Sequence, residues 1–195
     1  MRKLAGGLTI TLLAATLLHS AAKDLTLTLL VYNHAQVGDE ALAQAEMAAS
    51  EIFERAGVRL IWRDGFAYAA ERQKFENPPP EDPVTLVVKL QPESETARYG
   101  VPPECEGIGF PSGAIVFVRR KDKNDMAPAA TRLAYVMAHE LAHILLGPNA
   151  HSIVGIMRGT LIQQDWDKAA QGTLGFTRSQ ARQIRTWIVK RNSLP

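Results

Sequence analysis

The stretch His139-Glu140-Leu141-Ala142-His143 decides what fold and chemistry the rest of the chain can support. On an α-helix, residues four positions apart lie on the same face, so both imidazoles can reach one metal ion. Glu140 is the next position round the helix, where its carboxylate can accept a proton from a water held by the metal. The spacing therefore predicts a zinc site with two histidine ligands and Glu140 as general base.

The segment around this motif is typical of a buried helix. Residues Ala129 to Leu146 contain no Gly or Pro, and their apolar side chains recur at the three- and four-residue spacing of one helix face. Gly147 follows, and a glycine in the left-handed conformation commonly ends a helix, while Pro148 would prevent the helix from resuming. We therefore expect the motif on a helix that ends in a sharp turn after His143.

A third histidine follows that turn. Three of the five histidines fall within thirteen residues, and a turn at Gly147 can bring His151 to the open side of the metal. The sequence therefore predicts His151 as the third ligand. Asp165 and Asp167 lie further downstream, and either of them is an alternative for this position.

From His139 to Met157 the chain reads HELAHILLGPNAHSIVGIM, which resembles the metzincin branch of the zinc peptidases. In that family the active-site helix is followed by a glycine, a third histidine and a methionine turn beneath the zinc. Here Gly147 and His151 lie four and eight residues after His143, slightly further than in the family pattern. The resemblance implies one catalytic Zn²⁺ on His139, His143 and His151, Met157 as the turn methionine, and hydrolysis of a peptide or protein substrate.

Hydrophobic patterning predicts the scaffold that carries the motif. Alternating and continuous apolar runs predict strands at 25–32, 58–62, 84–90 and 114–119, a glycine-broken edge strand at 106–111, and helices at 39–56 and 177–190. The first strand, helix and strand imply parallel pairing. The polar, proline-containing segment 63–83 predicts a surface loop.

This order of elements is similar to the upper subdomain of metzincins over most of residues 24–157. The resemblance implies an α+β fold of the zincin/metzincin type. Its expected parts are a mixed twisted sheet with an antiparallel edge strand, an active-site helix and a C-terminal helix. An edge strand beside that helix is also where an extended peptide would pair by strand addition.

Residues 1–22 are typical of a signal peptide. They combine a basic start, an uncharged apolar run from Leu4 to Leu18 and a small-residue end. The run is shorter than the roughly 20 residues needed to cross a bilayer, so an uncleaved membrane anchor is the lesser alternative. We therefore expect a secreted or periplasmic protein with one domain over residues 23–195 and no stable membrane insertion after cleavage.

Charge and cysteine content narrow the possible partners. Removal of Arg2 and Lys3 reduces the net charge of +2 to zero, and the short basic run at 119–123 is typical of a solvated loop, so nucleic acid is not an expected partner. Cys105 is the only cysteine, which excludes an intramolecular disulfide. It is expected to be a plain loop thiol, with an inhibitory zinc thiolate as the alternative.

One competing function remains at this point. A non-catalytic zinc-binding interaction domain could use the same scaffold, and no tyrosine follows Met157 to stabilise an oxyanion as in some metzincins. Glu140 favours an enzyme, because a purely structural zinc site has no use for a base and normally has four protein ligands.

Overall fold

A five-stranded mixed sheet forms the centre of the computed structural model, which describes residues 25–75, 84–119 and 128–193. The predicted signal peptide lies outside these ranges. The strands are β1 (Thr26–Asn33), β2 (Arg59–Asp64), β3 (Thr85–Pro92), β4 (Gly107–Phe110) and β5 (Gly113–Val118). The helices are α1 (Asp39–Arg55), α2 (Gly65–Arg72), α3 (Ala129–Leu146), α4 (Gln163–Ala170) and α5 (Arg178–Asn192), with a 3₁₀ helix at Glu93–Tyr99.

The strand order is β2-β1-β3-β5-β4. The pairs β1–β2, β1–β3 and β3–β5 are parallel, as predicted for the first crossover, and β4 pairs antiparallel with β5 at the edge of the sheet. The prediction of an α+β fold with a mixed sheet and an antiparallel edge strand is confirmed. Among the described residues, no helix is both long enough and apolar enough to cross a bilayer.

The core lies between the sheet and helices α1 and α3. Alternate residues of β1 and β3 are buried, and they share one cluster with the inner faces of α1 and α3 and with Ile184 and Ile188 of α5. Because one face of each helix is apolar at the helical spacing, burial of these faces holds the elements together. The helix that carries the His139–His143 motif is therefore a central part of the core.

Helix α3 has the bounds that the sequence predicts. It begins after Pro128 and ends at Leu146, and the Gly147 backbone N–H still donates to the carbonyl of His143 at 2.9 Å. Gly147 has a φ of 101° and a ψ of 164°, so its positive φ is confirmed but its ψ is extended rather than helical. An extended ψ turns the following residues sharply away from the helix axis.

The predicted surface loop at 63–83 is wrong over its described part. Strand β2 extends to Asp64, and α2 follows at once. The carboxylate of Asp64 accepts a hydrogen bond from the N–H of Ala67 at 2.7 Å, which satisfies a donor at the start of the helix. This N-terminal cap and the helix-forming residues after it outweigh the polar character of the segment. The 3₁₀ helix at 93–99 and α4 were also not predicted.

Close packing between β3 and β5 requires a glycine at position 113. A Cβ there would lie 2.1 Å from the carbonyl oxygen of Val87, which is backbone and cannot move aside. We expect Gly113→Ala to lower the free energy of unfolding by about 1–3 kcal/mol, measured by denaturant unfolding. Gly175→Ala is the matched control, because a Cβ there would meet only the Arg55 guanidinium, at an ordinary contact distance of 3.8 Å. Equal stability of the two variants would contradict the close approach.

Candidate metal centre

Two imidazoles project from adjacent turns of α3. His139 and His143 are one turn apart, and their Nε2 atoms lie 3.0 Å from each other. Both side chains are partly buried and line the cleft in front of the helix. The helix therefore provides two nitrogen ligands at one point, as the four-residue spacing predicts.

The loop after α3 returns the third histidine to the same point. The Nε2 atom of His151 lies 3.2 Å from that of His143 and 3.3 Å from that of His139. Ser152 holds this loop in place, because its backbone N–H donates to the carbonyl of Met157 at 2.8 Å and its hydroxyl accepts from the amide of Gln180 at 3.1 Å. Helix α5 thus fixes the position of His151.

Backbone carbonyls orient the two helical imidazoles. Nδ1 of His139 lies 2.8 Å from the carbonyl oxygen of Ile156, and Nδ1 of His143 lies 3.4 Å from that of Gly147. A carbonyl oxygen can only accept, so each Nδ1 carries the proton and each Nε2 presents a lone pair. This is the arrangement by which outer contacts fix the tautomer of a metal ligand. Met157, which follows Ile156, is fully buried.

The donor set fits a zinc ion. Tetrahedral ligands at about 2.0–2.1 Å from zinc stand about 3.3–3.4 Å apart, and the three Nε2 atoms are separated by 3.0–3.3 Å. Three histidines with one position left open form a typical catalytic zinc set. The histidines predicted at 139, 143 and 151 therefore lie close enough together to hold one metal ion.

Burial keeps two of these imidazoles neutral. It lowers the pKa of His139, while the hydrogen bond to Ile156 opposes the shift, and the neighbouring His143 and His151 lower it further. Burial also lowers the pKa of His143. The neutral form of an imidazole is the one that can bind a metal ion, so these shifts are compatible with a metal site.

Glu140 lies in the same cleft, packed against strand β4. Its side chain is only 8% exposed, and a Cβ on Gly107 would lie 2.4 Å from its Cγ atom. The glycine therefore lets the strand backbone lie directly on the carboxylate. Burial, followed by the negative charge of Glu106, raises the pKa of Glu140 to about 7.

The histidines and Glu140 line one open cleft of about 700 Å³. The edge strand β4 and the segment 158–161 that follows Met157 both line this cleft. A smaller apolar pocket borders the cleft at the start of α3 and shares Glu106, Arg119 and Arg132 with it. The histidines and Glu140 are therefore accessible from solvent through a cleft lined by both segments.

The alternative ligands have other partners. Asp165 is buried, accepts from the N–H of Ile162 at 3.1 Å and contacts Arg158, while Asp167 accepts from the side chain of Gln163 at 2.9 Å. In the described parts of the chain, the metal cluster contains neither aspartate.

Cys105 lines the cleft but is also outside the described metal cluster. Its thiol donates to the carbonyl of Gly107 at 3.1 Å, and burial raises its pKa. A raised pKa favours the thiol over the thiolate that binds zinc. This position agrees with the plain loop thiol that was expected and not with a zinc ligand.

Two ion pairs of the cleft were missed by sequence reasoning. Arg132 pairs with Glu106, and Arg158 pairs with Asp165. Arg158 directly follows Met157 and is visible in the sequence as a charged residue near the site. Its partner Asp165 lies on α4, and the sequence indicated that aspartate only as an alternative metal ligand. The close approach of β4 to Glu140 was also missed, although the two glycines of the Gly107-Ile108-Gly109 sequence point to it.

Comparisons with known proteins assign no family. No family model matches the chain, and a search of curated proteins finds no similar sequence. The function of this site must therefore be inferred from its geometry.

We expect the purified chain to bind one Zn²⁺ ion, and His151→Ala to weaken that binding more than about 100-fold. The basis for this magnitude is that loss of an outer-shell partner alone costs 10- to 100-fold, and a direct ligand should cost more. Competition against a chromophoric chelator measures the affinity. His34→Ala is the control, because His34 stacks on Tyr32 away from the cluster. Unchanged affinity in His151→Ala would exclude it as a ligand.

Proposed function

We propose that this protein is a zinc-dependent metallopeptidase with a metzincin-like active site. The observation that carries the proposal is the meeting of three histidine Nε2 atoms in a cleft that also contains the Glu140 carboxylate. A structural zinc site normally has four protein ligands, whereas here three nitrogens leave one position open. The order of strands and helices and the buried Met157 support the same family resemblance.

The chemistry at this centre would be divided between the metal and the chain. Bound zinc would lower the pKa of a water toward about 7 and polarise the carbonyl of the substrate. The Glu140 carboxylate, held against Gly107, would take the proton of the attacking water and return it to the leaving amine. Ile156 and Gly147, through their carbonyls, would keep His139 and His143 aimed at the site.

The edge strand supports a peptide as the substrate. Among the described strands β4 pairs with β5 alone, and its residues Gly107, Ile108 and Gly109 line the cleft beside the histidines. An extended peptide can add to such an edge through main-chain hydrogen bonds. We further propose that residues 1–22 direct the protein to a secreted or periplasmic location, where its substrates would be peptides or proteins.

Glu140→Gln tests the proposed base. The amide cannot accept the proton of the attacking water, so we expect kcat/KM on a quenched fluorescent peptide library to fall about 10²- to 10⁴-fold. The zinc content should stay at one ion per chain. Glu104→Gln is the matched control, because Glu104 is an exposed carboxylate of the same cleft. A zinc-loaded wild type that cleaves no peptide would instead favour a non-catalytic binding domain.

Gly107→Ala tests the contact that positions the base. The new Cβ would overlap the Glu140 side chain, so the carboxylate or the strand must shift. We expect kcat to fall at least about tenfold while zinc affinity changes little, since a misplacement of about 1 Å can cost 10²-fold. Gly109→Ala is the comparison, because its Cβ would meet the Cβ of His143 at 3.1 Å and the backbone carbonyl of Glu140 at 3.2 Å, but not the Glu140 carboxylate. Equal kcat in Gly107→Ala and the wild type would contradict this positioning.

A further inference from the structure

Arg158 occupies a position in the cleft that neither the metal site nor the proposed base explains. It directly follows the buried Met157 and lines the same cleft as His139, His143 and His151. Its side chain is 29% exposed, whereas its Nε atom has almost no accessible surface. The exposure therefore belongs to the rest of the side chain.

A buried carboxylate holds this arginine by one atom. Nε of Arg158 lies 2.8 Å from Oδ2 of Asp165, whose side chain is 3% exposed. The contact is an ion pair rather than a well-directed hydrogen bond, because the N–H does not point at the oxygen. Asp165 is itself fixed, since the same Oδ2 accepts from the N–H of Ile162 at 3.1 Å. The guanidinium is thus anchored to the start of α4.

The terminal nitrogens of Arg158 have no partner within the described residues. Its side chain makes one ion pair there, with Asp165, and the Glu106 carboxylate in the same cleft is taken by Arg132. A guanidinium carries five N–H donors in a planar fork, and a carboxylate is the group that this fork binds best. An ion pair with Asp165 that served only the structure would leave the terminal N–H groups of Arg158 in the cleft without an acceptor among the described residues.

We propose that Arg158 binds a carboxylate of the substrate and so gives the cleft a preference for acidic peptides. The inference rests on the proposed peptidase function and names the substrate class of that same site. The carboxylate can come from an Asp or Glu side chain near the scissile bond, or from the C-terminus of the peptide. Both sources present the same pair of oxygens to the guanidinium.

Binding of three matched probes tests this inference. The probes are N-acetyl-hexaalanine amide, the same peptide with a free C-terminal carboxylate, and the amide with one alanine replaced by glutamate. Affinities are measured by calorimetry on zinc-loaded Glu140→Gln, in which peptides are expected to persist. We expect at least one acidic probe to bind about tenfold to a hundredfold more tightly than the neutral amide, as for a charge-assisted hydrogen bond.

The arginine itself is tested in the same background. Arg158→Gln combined with Asp165→Asn removes both charges, so no buried carboxylate is left unpaired. In this variant the acidic probes should bind about as tightly as the neutral amide. Arg158→Lys keeps a positive charge beside Asp165 but loses the planar fork, so the preference for acidic probes should be reduced and not lost. This variant replaces the double variant if the double variant does not fold. Arg119→Gln, which removes another cleft arginine, should leave the preference unchanged.

The outcomes separate this inference from the proposed function. Loss of the preference in the double variant supports the role of Arg158, and the probe that loses it identifies the source of the carboxylate. Equal binding of the three probes, binding of none of them, or a preference that persists without Arg158 overturns the inference. Acidic preference in a wild type that cleaves no peptide would overturn the peptidase proposal and leave Arg158 as a carboxylate site.

Discussion

The convergence of three imidazole nitrogens within 3.0–3.3 Å is the constraint on which the arrangement of the C-terminal half depends. His139 and His143 both lie on α3, whereas His151 reaches the same point only because the chain leaves α3 and turns back. The extended, positive-φ conformation of Gly147 begins that return. Gly155, with a φ of 77°, lies in the turn after His151 that the Ser152–Met157 hydrogen bond closes, and a Cβ there would lie 2.7 Å from the carbonyl oxygen of Gly175. The candidate metal site therefore depends on the backbone conformations of these glycines as well as on the three histidines.

Contact between β4 and α3 is the second constraint. Gly107 and Gly109 bring the strand backbone against Glu140 and His143. A larger residue at 107 would overlap the Glu140 side chain, so the carboxylate or the strand would have to shift. The same contact buries Glu140, which raises its pKa, and it leaves the outer edge of β4 beside the cleft. Local packing thus determines both the environment of the carboxylate and the position of β4 in the cleft.

The sequence predicts the elements whose signals are local. Helix α3 has the predicted bounds because Pro128 and Gly147 stop it at both ends, and its histidines meet because their spacing is that of one turn. Helix α2 was missed because it is only eight residues long and because the polar residues and prolines of segment 63–83 favoured a loop. The pair of Arg158 with Asp165 could not be predicted from spacing, since it depends on where α4 lies. Residues 1–22 lie outside the described structure, and their interpretation as a signal peptide stays a prediction.

Strand β4 and the segment 158–161, which both line the cleft, differ in the groups that they offer to a ligand. In the proposed peptidase, β4 offers mainly main-chain groups, and hydrogen bonds to them are the same for every extended peptide. Selectivity must then come from the side chains of the cleft, and in the segment 158–161 Arg158 is the charged side chain. Because Asp165 already fixes one end of its guanidinium, Arg158 would lose less conformational freedom on binding than an unanchored arginine would. The ion pair that joins this segment to α4 would therefore also lower the entropic cost of binding a carboxylate at the proposed site.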